Sequence, residues 1–146
     1  MKDRNLPASD NWETPKEIYD VWNAEFHFDF DPCPLNTGTI PPERDALLIE
    51  WGQCNYVNPP YSRKLKEAFV LRGVEMMRRG KTSVFLLPVS TSTKLFHEII
   101  QPLASEIRFL RGRIAFHGVN TKGEYTETGK GMHDSMLVIF KGVALD

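Results

Sequence analysis

Two consecutive prolines, Pro59 and Pro60, follow directly on Tyr56-Val57-Asn58. Proline fixes its own φ and has no backbone N–H, so a strand that enters this pair can neither continue nor pass straight into a helix. A short strand over Tyr56 to Asn58 must therefore end there, with Asn58 and Tyr61 on either side of a rigid turn. Beyond the turn, Leu65, Phe69, Val70, Val74, Met76 and Met77 recur at helical spacing, which predicts a helix from Arg63 to Arg79 closed by Gly80.

The rest of the chain can be read around this fixed point. Thr14-Pro15-Lys16-Glu17 has the form of a capping box and predicts a helix running to about Glu25, with Thr14 as cap and Ile18, Val21 and Trp22 facing the core. Phe26 to Phe30 alternates rings with polar residues and stops at Asp31-Pro32, as a strand would. Thr37 to Glu43, with Gly38, Pro41 and Pro42, reads as loop. Ser83 to Leu87 reads as a buried strand and Thr93 to Ile100 as a helix ended by Pro102. Glu106 to Leu110, Arg113 to Phe116 and Met136 to Phe140 read as further strands. Alternating strands and helices predict an α/β fold, with a mostly parallel sheet and an antiparallel pair at one edge. In such sheets ligands bind beyond the carboxyl ends of strands, which makes Asp31-Pro32 and Asn58-Pro59 candidates for one shared site.

A length of 146 residues, 41% hydrophobic, suits a single domain over 1–146 that buries a real core. Residues 1–11 are expected to be a flexible arm. The apolar runs are too short to span a bilayer, and the polar start is unlike an export signal, so a cytoplasmic protein is expected. Cys33 and Cys54 are too few and too far apart for a zinc cluster and read as thiols. His27, His97, His117 and His133 show no ligand spacing, so no metal is expected. Ser90-Thr91-Ser92 reads as helix capping. A formal net charge of -1 gives no overall attraction to polyanions, so contact with nucleic acid would need a local basic face.

The segment Asn58-Pro59-Pro60-Tyr61 carries a specific chemistry. The exocyclic amino group of a base is a poor nucleophile, because its lone pair is delocalised into the ring. The Asn58 side-chain oxygen and the Pro59 carbonyl could accept its two hydrogens and turn the lone pair toward a methyl donor, with Pro60 helping to fix the carbonyl. Tyr61 could stack on the extruded base. A Pro-Pro turn leading into a helix, with Tyr61 merely packing, is the plain structural reading of the same residues.

Taken with its context, the chain resembles the small DNA adenine-N6 methyltransferases typical of bacteriophages and prophages. The resemblance rests on Trp12-Glu13-Thr14-Pro15, Phe30-Asp31-Pro32-Cys33-Pro34, Asp45 to Leu48, Trp51 and Asn58-Pro59-Pro60-Tyr61-Ser62. It continues through Phe85-Leu86-Leu87-Pro88, Leu110 to Phe116, and Ser135-Met136-Leu137-Val138. It implies a Rossmann-like methyltransferase fold, S-adenosylmethionine as methyl donor, and double-stranded DNA as substrate in a bacterial host, in restriction-modification or a related setting. It also implies that Thr14, Pro15, Asp31, Pro32 and Cys33 hold the donor and that Asp45 contacts its adenine. A carboxylate at a strand end suits the donor's ammonium, and a helix N-terminus suits its carboxylate. The chain departs from larger relatives in lacking a glycine-rich loop after Asp31 and a second strand ending in an acid before Asn58; Glu43 or Asp45 could take that acid's place at the ribose.

Ser62, Arg63 and Lys64 after the tetrapeptide, with Arg111, Arg113, Lys122, Lys130 and His133, are the expected DNA contacts, and 117–133 the expected mobile recognition loop. Against this loop stand the acids Glu124 and Glu127. Two alternatives stay open: methylation of another planar amino or amide group (RNA adenine, cytosine N4, protein glutamine), and a catalytically inactive relative that binds DNA or a partner.

Overall fold

In the computed structural model the protein is described over residues 4–6, 12–34, 38–119, 125–127 and 133–144. Its elements in chain order are β1 (Arg4–Leu6), β2 (Trp12–Glu13), α1 (Lys16–Phe26), β3 (Gly38–Ile40), β4 (Cys54–Val57), α2 (Arg63–Arg78) and β5 (Thr82–Pro88). A π-helical turn (Leu95–Ile100) then leads into α3 (Gln101–Leu103), followed by β6 (Glu106–Phe109), β7 (His117–Val119), β8 (Tyr125–Glu127) and β9 (Ser135–Phe140).

The central sheet has the order β4-β5-β9-β6. β4 and β5 pair in parallel, while β9 pairs antiparallel with both β5 and β6. Of the three pairings in this sheet one is parallel and two are antiparallel, so the mostly parallel sheet expected from the sequence is not borne out; β4, β5 and β6 share one direction, and β9 lies reversed between β5 and β6. The composition of β9, Ser135-Met136-Leu137-Val138-Ile139-Phe140, explains its place: all six residues are buried, as a strand covered on both faces requires.

Side-chain alternation divides the core between the two faces. Val57, Phe85, Leu87, Met136, Val138 and Phe140 pack with Phe69, Val70, Val74, Met76 and Met77 of α2. Tyr56, Val84, Leu86, Leu137 and Ile139 pack on the other face with Trp22, Ile18, Tyr19 and Phe26 of α1. Val21, expected among the inward residues of α1, is instead 68% exposed. The edge strand β6 is tied to α1 by Arg108, which donates to both carboxylate oxygens of Glu25 at 2.7 and 2.6 Å and lies 5.3 Å over the Phe26 ring.

Several local expectations are corrected. The segment expected as a strand from Phe26 to Phe30 begins as the end of α1, closed by His27 in the left-handed region at φ 56°. Only Phe30 makes a ladder contact, parallel to Asn55. Side chains serve the backbone here instead: Asn23 accepts the Phe28 N–H at 2.9 Å, and Asp29 accepts the Gln53 and Cys54 N–H groups at 3.2 and 3.0 Å. Part of the expected loop at Thr37 to Glu43 is β3, paired with β1, and a 3-10 turn follows at Pro42–Arg44. The expected 93–100 helix opens into the π turn, and Pro102 sits inside the closing turn α3 instead of ending the helix. A proline lacks one helical donor and its ring crowds the preceding turn, so a widened turn accommodates it. Arg113 to Phe116 forms no strand. Both edges of β9 are already taken, and the chain crosses after Gly112 (φ 76°) with Ile114 buried in the core. Within the expected recognition loop, β7 pairs with β8 and also with β2, and these backbone pairings place His117 opposite Glu13.

Candidate functional site

The three codirectional strands end on one side of the sheet, and the prolines after β4 set the site there. Asn58, Pro59 and Pro60 are all buried. Asp31 reaches the same side because Phe30 runs alongside β4: the Tyr56 N–H donates to the Phe30 carbonyl at 3.1 Å and the Asp29 N–H to the Cys54 carbonyl at 2.9 Å. A cavity of about 370 Å³ opens there, lined by Glu13, Thr14, Lys16, Glu17, Tyr19, Asp31, Cys33, Pro34, Tyr56 and Asn58. Four residues singled out in the sequence, Thr14, Asp31, Cys33 and Asn58, therefore share one cavity.

Its electrostatics are acidic. Asp31 stays solvent-accessible as a residue, yet protein crowds its carboxyl enough for desolvation to push its pKa up to about 6. The Cys33 N–H donates to it at 2.8 Å and works against that rise, while neighbouring Glu13 adds to it. The Cys33 thiol is pushed well above its usual value, first by burial and then by Asp31, so it stays protonated and is a poor nucleophile.

Thr14 does not cap α1. The cap position is Pro15, whose carbonyl accepts the Ile18 and Tyr19 N–H groups, and no side-chain cap is formed. The Thr14 hydroxyl is instead hydrogen-bonded to the Tyr56 hydroxyl. Pro15 and Pro32 are buried and are not among the residues that line the cavity.

Asp45 stands close enough to the cavity for its charge to reach the Cys33 thiol. It is 4% exposed, its carboxylate accepts from Arg4 Nε at 3.1 Å and from the Leu47 N–H at 3.0 Å, and it is not among the residues lining the cavity. Glu43 is exposed in the same turn and also off the cavity.

Tyr61 donates from its hydroxyl to the Leu86 carbonyl at 3.3 Å, and burial raises its pKa. Phe116 meets its ring edge-on at 6.1 Å, and His133 lies 6.5 Å away. Several of the expected DNA contacts lie at the same end of the sheet. Ser62, Arg63 and Lys64 follow on the surface at the start of α2. The Val89 N–H donates to the Asp134 carbonyl and the Leu110 N–H to the Ser135 carbonyl, both at 2.9 Å, which brings 111–113 and 133–134 to this end of the sheet. Arg111, Arg113 and His133 are exposed there, with Arg113 Nε 3.2 Å from an Asp134 oxygen. Lys122 and Lys130 lie outside the described residues.

Sequence reasoning passed over Tyr56 and Tyr19, which line the cavity, and read Lys16 and Glu17, which also line it, only as part of a helix start. For Tyr56 a signal existed: strand alternation puts it on the same face as Asn58, and a buried tyrosine needs a partner for its hydroxyl. Among the described residues no group of three or more His, Cys, Asp or Glu could hold a metal ion, and no helix is long and apolar enough to cross a membrane.

No curated protein and no solved structure matches the chain. A family model described as DNA N-6-adenine-methyltransferase (Dam) matches residues 3–145, an extent that takes in both the acidic cavity and the tetrapeptide at its end. The chain therefore belongs to the DNA N-6-adenine-methyltransferase (Dam) family.

Proposed function

We propose that the chain methylates the N6 amino group of adenine in double-stranded DNA, using S-adenosylmethionine bound in the acidic cavity and a base rotated out of the helix. The observation that carries this reading is the meeting of Asn58 with Thr14 and Asp31 in one cavity. The cavity's chemistry suits the donor. It offers carboxylates for an ammonium, a hydroxyl and a helix start for a carboxylate, and aromatic walls, within the size range of small-molecule sites. A Rossmann-like arrangement is proposed with it, since β4, β5 and β6 run one way and the cavity lies at the carboxyl end of β4.

Asp31 would hold the ammonium, Thr14 and the start of α1 the carboxylate, and Pro15, Pro32 and Cys33 would shape the walls. The bound donor would supply an electrophilic methyl carbon. Asn58 and the Pro59 carbonyl would each accept a hydrogen of the adenine NH2, direct its lone pair, and stabilise positive charge as it grows on nitrogen. Tyr61, with its hydroxyl fixed on Leu86, would give the base a ring to stack on. Ser62, Arg63, Lys64, Arg111, Arg113 and His133 would meet the backbone around the extruded nucleotide.

The test is transfer of labelled methyl groups to unmethylated duplex DNA, followed by digestion and mass spectrometry of the nucleosides. N6-methyladenine is expected. Label found only in 4-methylcytosine, in RNA or in protein, or no transfer at all, would refute the assignment.

A further inference from the structure

Tyr56 takes no part in the chemistry just described, yet it stands two residues before Asn58 and lines the same cavity. The residue is 3% exposed. Its ring is held by Tyr19 edge-on at 5.1 Å, Phe28 at 5.2 Å and Trp22 at 6.1 Å. These contacts fix where its hydroxyl must lie, and the hydroxyl meets that of Thr14. The bond links β4, which ends just before Asn58, to the segment that enters α1, and both segments wall the cavity.

A threonine hydroxyl has one proton to give and two lone pairs. When the Tyr56 phenol donates to Thr14, the single Thr14 proton is left to point at another acceptor, and the cavity lies beside it. Burial holds the phenol well above its usual pKa, so it keeps that proton. Without the phenol, the Thr14 side chain loses the partner that fixes its rotamer.

We propose that Tyr56 is a positioning residue for the methyl donor: its hydroxyl aims the Thr14 hydroxyl at the donor's carboxylate and holds the donor-binding segment in register with Asn58. This rests on the reading of the cavity as the S-adenosylmethionine site.

The experiment is a double-mutant cycle on the full chain, read by calorimetric binding of S-adenosylmethionine and by steady-state methyl transfer. Tyr56→Phe keeps the ring and removes one oxygen. It should weaken donor binding by about fivefold to tenfold and raise the donor KM to match, while kcat at saturating donor changes less than KM. Thr14→Val should show a loss at least as large, and Tyr56→Phe in that background should add nothing, because the two hydroxyls act as one unit. Thr14→Ser, which keeps the oxygen, should restore binding close to that of the unmodified chain. If the unmodified chain binds the donor and Tyr56→Phe binds it equally well, the proposal is overturned and the cavity assignment survives. Losses that multiply in the double variant, or a fall in kcat at unchanged KM, overturn it in the same way. If the unmodified chain takes up no donor, the cavity assignment and the proposal fall together.

Discussion

The guanidinium of Arg4 places its Nε 3.1 Å from both carboxylate oxygens of Asp45, closing a contact across 41 residues of sequence. Side-chain exposures of 15% and 6% take the pair largely out of water, and the Arg4 guanidinium also lies 5.3 Å over the Phe69 ring. Removing one partner of a buried ion pair leaves the other desolvated and unpaired. Asp45→Ala should therefore cost about 3 kcal/mol of stability, seen as a lower midpoint in urea denaturation. Asp45 is off the cavity, so affinity for S-adenosylmethionine in the folded variant should stay near that of the unmodified chain. A large loss of affinity at unchanged stability would instead support the contact with the donor's adenine suggested by family resemblance.

Gly73 of α2 faces the Phe85 ring of β5 so closely that a Cβ at this position would overlap the ring edge. Phe85 is fully buried and packs against Trp51 and Phe140, so it cannot retreat freely. Gly73→Ala should destabilise the protein by about 1 to 3 kcal/mol despite alanine's better helix propensity. Phe85→Leu, which shortens the opposing side chain, should recover part of that loss when combined with it. If Gly73→Ala proves as stable as the unmodified chain in thermal denaturation, the close packing of α2 on the sheet is wrong.

What could be read in advance follows from how local each signal is. The stop of β4 before Pro59-Pro60 and the helix after Ser62 are dictated by neighbours within a few residues; β4 ends at Val57, one residue short of the expected Asn58, and α2 starts at Arg63 as expected. The place of β9 was not legible, because its run Met136 to Phe140 is equally compatible with parallel and antiparallel neighbours. Only the long-range pairing with β5 and β6 decides. The Thr14 cap failed for a related reason: a hydroxyl suited to a helix start was claimed by a phenol 42 residues away. Motif spacing marked Asn58 and Asp31 as neighbours because both end extended segments, whereas the aromatic wall of Tyr19 and Tyr56 depends on how α1 packs on the sheet.

Asn58 directly follows β4 at 7% exposure and lines the cavity that also holds Asp31 and Thr14. If its side-chain oxygen accepts a hydrogen of the adenine amino group, the interaction strengthens as charge grows on nitrogen and counts chiefly in the transition state. Asn58→Ala should lower kcat by about 100-fold or more, in line with loss of one preorganised polar group. Calorimetry should find donor binding changed less than threefold, because the donor would be held by Asp31 and Thr14. Undiminished turnover by the variant would end the assignment of Asn58 to the reaction.

Asp31 gives the site a dependence on pH whose sign can be worked out. Its folded pKa of about 6 stands above the usual 3.8, chiefly through desolvation and further through Glu13. Between those values the folded chain holds a proton that the unfolded chain has released. The carboxyl's contribution to stability is thus fully present at low pH and is lost as pH rises through about 6. Affinity for the donor should run the other way, since only the ionised carboxyl attracts an ammonium. Binding should strengthen with pH from 5 to 7, approaching tenfold per unit below the pKa of about 6, and level off above it. Asp31→Asn should bind weakly at pH 7.5 and show a much flatter profile, and should make the ligand-free protein more stable at that pH. Glu13→Gln removes a like charge and should move the midpoint of the profile downward. Calorimetric titrations at half-unit steps from pH 5 to 8 would decide. A profile unchanged by Asp31→Asn would mean that the acidic wall of the cavity does not hold the donor's ammonium through this carboxylate.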